Sequence, residues 1–179
     1  FIFTGGPGSG KSTVIEALKS LDYQVVEEVA RDIIQQQHRI GGNATHTGDQ
    51  IAFCQQMLAA SIENYQQSLQ TKSPIFFDRG IPDLVGYAMM TIGEIDPRIM
   101  EAVKKYRYNQ HVFLFPPWQA IYTNDTERQQ DFHEAIATHE YLKQAYIDCG
   151  YSIIDLAKTD IQSRTQFILN TITKNQSKR

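Results

Sequence analysis

The stretch GGPGSGKST at residues 5–13 constrains this chain more than any other feature of it. Gly5, Gly10, Lys11 and Ser12 satisfy the spacing G-x-x-x-x-G-K-[ST], with Gly6, Pro7, Gly8 and Ser9 between them. A loop that wraps a phosphate must turn successive backbone N–H groups inward, through backbone angles that a Cβ resists. Lys11 then offers charge to the β- and γ-phosphates, Ser12 offers a hydroxyl to magnesium, and Thr13 is placed for the α-phosphate. The apolar run FIFT before the loop reads as a strand, and Val14, Ile15 and Leu18 after it share one face of a helix. The amino end of that helix adds partial positive charge to the same spot. Gly6, Pro7, Gly8, Ser9, Gly10, Lys11, Ser12 and Thr13 are therefore the expected nucleotide-binding residues of an α/β fold.

The rest of the chain repeats the strand-then-helix alternation. Short apolar runs recur at 24–28 (QVVEE), 73–78 (SPIFFD), 111–115 (HVFLF) and 151–156 (YSIIDL), separated by longer helical stretches. That pattern predicts a parallel sheet covered by helices on both faces. Thr47 or Asp49 is expected to cap a helix from about Ile51 to Leu69, and Pro116 and Pro117 to end the fourth strand. Asn124 or Asp125 is expected to cap a helix running through Tyr146. Neither a linker-like composition nor an internal repeat divides the chain, so residues 1–179 read as one domain.

Composition narrows the partners. A net charge of −3 gives no global reason to bind nucleic acid or an anionic membrane. The basic run KKYRY at 104–108 is short and reads as a solvated helix end. Polar or charged residues interrupt every apolar candidate, including IPDLVGYAMMTIG with Asp83 inside it, so no membrane-spanning segment is expected. Cys54 and Cys149 have neither zinc-site nor disulfide-scaffold spacing, which makes a reducing cytoplasm the expected compartment. His133 and His139, six residues apart, point to different sides of a helix rather than sharing a metal.

A second constellation lies at the ends of the neighbouring strands. PIFFDRG carries a strand into Asp78 and Arg79. The acid is suited to completing a magnesium shell or accepting a proton, and the guanidinium to clamping a phosphate. QVVEEVARDI places Glu27 and Glu28 at the end of the second strand, with Arg31 about a turn further on. Ligands of open α/β sheets gather at the carboxyl ends of the strands, so either glutamate could be a general base or an acceptor anchor. The segment LAKTD at 156–160 follows the last strand where a base-contacting loop would lie, with Ala157 where a guanine-reading motif has asparagine.

Taken in order, GGPGSGKST, VVEEVARDII, GDQIAFCQQML, PIFFDRGIPD, YRYNQHVFLFPPW and DTERQQDF resemble the NadR-like AAA-type phosphate-loop ATPases, whose best understood member type is the nicotinamide riboside kinase domain. The resemblance implies a P-loop NTPase of kinase-like, three-layer architecture with five parallel strands in the order 2-3-1-4-5, and ATP and Mg2+ at the loop. It also implies a phosphate-covering lid over PPWQAIYTNDTERQQ, with Arg128 as its arginine. Trp118 and Tyr122 in that stretch either stack on an acceptor or anchor the loop. The DRG at 78–80 departs from the family's turn, so the acceptor does not carry over.

The expected activity is transfer of the ATP γ-phosphoryl to a nucleoside-like or other small acceptor. Lys11, Asp78, Arg79, Arg128 and one of Glu27 and Glu28 would be the catalytic set, and Ser12 and Asp78 would hold the metal. Hydrolysis of ATP or GTP as a partner-regulated switch is the alternative, and a nucleotide-binding module without chemistry is a third reading.

Overall fold

In β1 (Ile2–Gly5) all four residues are buried, as a strand covered on both faces requires. The computed structural model describes residues 1–71, 73–122 and 131–176. After β1 come α1 (Lys11–Ser20), β2 (Gln24–Val26), α2 (Val29–Ile40), α3 (Gln50–Ser68), β3 (Ile75–Asp78), α4 (Ile81–Thr91) and α5 (Pro97–Lys105). They are followed by β4 (His111–Phe115), a 3-10 turn at Gln119–Ile121, α6 (Phe132–Asp148), β5 (Ser152–Asp155) and α7 (Ile161–Gln176). The five strands are all parallel, in the expected order β2-β3-β1-β4-β5.

Alternation along the strands feeds two cores. Ile2, Phe77 and Val112 point to one face and pack with Ile34, Phe53, Leu84 and Tyr146. Phe3, Phe76, Phe113 and Phe115 point to the other, where Val14, Leu18, Ile168 and Ile172 from α1 and α7 cover them. Each such side chain contributes roughly 1.5–3 kcal/mol by leaving water. The rings of Phe76, Phe113 and Phe115 all lie 5.1–5.6 Å from that of Phe3. Among the described residues, no helix is long and apolar enough to cross a membrane.

Element ends differ from expectation where polar residues take over. β2 stops at Val26, so Glu27 and Glu28 fall in the turn into α2 rather than in the strand. Asp49, not Thr47, caps α3, its carboxylate accepting from the Ala52 amide at 2.9 Å. The proposed caps Asn124 and Asp125 lie outside the described residues. α6 begins at Phe132, where Asp131 and Glu134 form a reciprocal capping box.

The residue that reads as an interruption, Asp83, is a buried junction. Its carboxylate accepts from Thr4 Oγ1 of β1 at 2.5 Å, Tyr146 of α6 at 2.5 Å, the Gly80 amide at 2.8 Å and Arg79 at 3.1 Å. Burial, and then this carboxylate, push the Tyr146 phenol well above its ordinary pKa, so it stays a donor. Asp83→Ala is expected to lower unfolding free energy in urea by roughly 3–5 kcal/mol, because it leaves two buried hydroxyls and the Gly80 amide without their acceptor and takes one of two carboxylates from Arg79. A loss under about 1 kcal/mol would contradict this role.

Candidate functional site

The strand register sets the site. Phe3 lies beside Asp78 and Gly5 beside Phe115, so the carboxyl ends of β3 and β4 flank the loop that leaves β1. Gly8 and Gly10 take left-handed backbone angles, φ +67° and +75°. A Cβ on Gly8 would lie 2.4 Å from the Tyr122 ring, and one on Gly10 would lie 2.7 Å from an Arg164 nitrogen. The left-handed angles call for glycine at both corners, and the Tyr122 ring and the Arg164 guanidinium pack close against them. Lys11 begins α1 and is buried, with its Nζ on Asp78 Oδ1. Ser12 and Thr13 are exposed at the same helix end, and the Thr13 hydroxyl donates to the Gly10 carbonyl at 2.8 Å.

The two glutamates part company. Glu27 points outward, 57% exposed, and pairs with Lys19. It lines neither of the two cavities at this end of the sheet, whereas Glu28 lines both. Glu28 is 6% exposed and points inward, with Oε1 accepting from Arg79 Nε at 2.8 Å and Oε2 3.8 Å from Arg31. Arg79 adopts φ +72°, unusual for a residue with a Cβ, and its other arm reaches Asp83. Burial alone would lower the guanidinium pKa, but the carboxylates of Glu28, Asp83 and Asp78 outweigh it and raise it. Arg79 is therefore a fixed cation rather than a free clamp.

Two cavities open at the carboxyl ends of the strands. The first, about 670 Å³, is lined by the loop from Gly6 to Thr13, with Trp118, Tyr122, Thr159 and Arg164 around it. The second, about 800 Å³, runs between α2, α3, α4 and α6, past Phe53, Met57, Leu84 and Tyr87 to His38 and Ser61. Both volumes suit small-molecule ligands. Pro7, Glu28 and Arg79 line both, so the cavities meet there.

Trp118 and Tyr122 belong to the first cavity, not the second, and Tyr122 braces the loop with Phe132 edge-on at 5.4 Å. The loop after β5 borders the first cavity as expected, but the Asp160 carboxylate is occupied by the Ser163 amide and hydroxyl at 2.8 and 2.6 Å. Arg128 lies outside the described residues. Arg164 escaped sequence analysis: it is 3% exposed, and its Nη2 donates to the Ser9 carbonyl at 3.1 Å. No local motif marks it, since 155 residues separate the partners.

Metal binding can be judged from the donors. Among the described residues, no group of three His, Cys, Asp or Glu side chains is placed to hold an ion. The Ser12 hydroxyl and Asp78 carboxylate are hard oxygen donors on adjoining elements, a sparse set that fits magnesium, which retains water and takes ligands from substrate phosphates.

The chain matches the model of a family described as AAA domain over residues 1–164. No curated protein matches it in sequence. Among solved structures it is similar to the deoxyadenosine kinase of M. mycoides, solved with products dCMP and a flexible dCDP bound. The identity is 14% and the TM-score 0.64, over 97% of this chain and 98% of that one. Thymidylate kinase from Candida albicans gives 15% and 0.66, over 98% and 91%. Thymidylate kinase from Ehrlichia chaffeensis gives 18% and 0.62, over 96% of each. The fold is that of the P-loop kinases.

Lys11→Ala is expected to weaken nucleoside triphosphate binding by about tenfold or more, and Glu27→Gln to leave it within about twofold, in isothermal titration calorimetry. Equal losses in the two variants would contradict placing Lys11 at the nucleotide and Glu27 away from it.

Proposed function

The chain belongs to the AAA-domain family, and from that premise we propose that it is a small-molecule kinase of the NadR-like type, moving the γ-phosphoryl of ATP to a hydroxyl of a nucleoside-like acceptor. The observation that carries this reading is the meeting of two ligand-sized cavities at Glu28 and Arg79. The first has the loop chemistry for the triphosphate. The second is apolar along its walls and polar at the junction, as an acceptor pocket requires.

The residues divide the work by position. Loop amides, the α1 amino end and Lys11 hold the β- and γ-phosphates, and Ser12 and Asp78 would hold magnesium, which neutralises phosphate charge when bound. Glu28 faces the acceptor hydroxyl and takes its proton. The acceptor oxygen forms a bond to the γ-phosphorus as the bond from that phosphorus to the β-bridging oxygen breaks, and ADP leaves with the electron pair. Arg79 fixes the Glu28 carboxylate and contributes positive charge where the transferring group passes. The resemblance would make Arg128, outside the described residues, a second guanidinium for the transferring phosphoryl. The two free, buried cysteines, Cys54 and Cys149, suit a reducing cytoplasm.

The AAA description favours a second reading, in which water replaces the acceptor and the protein is a nucleotide-driven switch. A side chain acting as base for a bound alcohol separates the two. Glu28→Gln retains an oxygen for Arg79 but cannot take a proton. Its kcat for phosphorylation of a nucleoside acceptor is expected to fall about 10²- to 10⁴-fold, with ATP affinity within about twofold. An unchanged kcat would sink the assignment of Glu28 as base.

A further inference from the structure

Lys11 is paired with Asp78, and Arg79 with Glu28 and Asp83, but Arg164 has a different environment. It projects from the first turn of α7 beneath the Ser9–Gly10 corner of the loop, and it lines the first cavity. Its guanidinium carbon lies 4.8 Å from the centre of the Phe115 ring and 5.8 Å from that of Trp118. Its Nε is buried without a hydrogen-bond partner, and among the described residues no carboxylate pairs with it. Burial lowers its pKa, though a guanidinium remains charged at any working pH. A nearly enclosed cation held by one carbonyl and two ring faces is only partly compensated.

We propose that Arg164 is a nucleotide-binding residue that takes the polyphosphate in the adjoining loop as its counter-charge, acting from behind the Ser9–Gly10 corner. The proposal rests on the reading of the first cavity as the triphosphate site. Arg164 Nη2 donates to the Ser9 carbonyl at 3.1 Å, and both residues line the first cavity. The same contact therefore orients the loop and brings a full positive charge beside it, where low dielectric strengthens the attraction. A side chain serving only as packing would be equally useful with or without ligand. A counter-charge instead makes binding depend on how many phosphates the ligand carries.

The test compares ATP, ADP and AMP binding to the full chain by calorimetry, with thermal melting of the free protein alongside. Arg164→Met removes the charge and the hydrogen bond, while Arg164→Gln removes the charge and keeps a donor for Ser9. Arg164→Lys keeps the charge. Both neutral variants are expected to lower the ratio of ATP to AMP affinity roughly tenfold, and Arg164→Lys to preserve it within about twofold. Free Arg164→Gln is expected to melt at or above the wild-type temperature, since an undercompensated buried charge is gone.

An unchanged ATP-to-AMP ratio in Arg164→Gln, with a lower melting temperature, would make the residue a packing element and overturn the proposal. If Arg164→Met does not fold, the Gln and Lys pair decides the matter by the same ratio. Wild-type protein that binds neither ATP nor ADP would instead overturn the triphosphate reading of the first cavity, and this inference with it.

Discussion

The Arg79 guanidinium, held between Glu28 and Asp83, is the interaction on which the site depends. It joins the turn after β2, the end of β3 and the first turn of α4 at the point where the two cavities meet. Its left-handed backbone is tolerable because two ion pairs and the start of a helix fix it from both sides. Without it, two buried carboxylates would face each other across the junction, and Glu28 would lose its orientation toward the second cavity. Asp83 extends the same constraint into the core through Thr4 and Tyr146, so the junction of the two cavities and the packing of α4 on α6 are one hydrogen-bonded unit.

On the opposite side of the loop the arrangement is different in kind. Tyr122 and Arg164 press on Gly8 and Gly10, and the rings of Phe115 and Trp118 flank the guanidinium. Acidic pairing organises the junction with the second cavity, and aromatic packing around a cation organises the far side of the first. That asymmetry suits the proposed reaction, which would bring a polyanion to the side with the cation and a hydroxyl compound to the side with the Glu28 carboxylate.

The strands and the loop were legible because a parallel sheet leaves short apolar runs between helical stretches and because a phosphate loop requires its glycines, whereas the strand order came with the family resemblance rather than from the runs themselves. Glu27 and Glu28 could not be told apart: β2 ends at Val26, and strand alternation says nothing about a turn. Asp83 reads as a blemish in an apolar run until the fold brings Thr4, Gly80 and Tyr146 to it. Arg164 sits in no motif, since its partner lies at the other end of the chain. Residues with a role set by spacing were visible, and residues with a role set by long-range contact were not.

The central claim is that the γ-phosphoryl crosses from the first cavity to an organic hydroxyl in the second. The most direct measurement follows ATP labelled with heavy oxygen in its γ-phosphoryl, incubated with magnesium, the protein and a pooled set of nucleosides, vitamins and sugars, and resolved by mass spectrometry. The labelled phosphoryl group is expected intact on an organic acceptor, with that product missing in Lys11→Ala. Label found only in inorganic phosphate, with every candidate acceptor unmodified while ADP accumulates, would contradict the account and make water the acceptor.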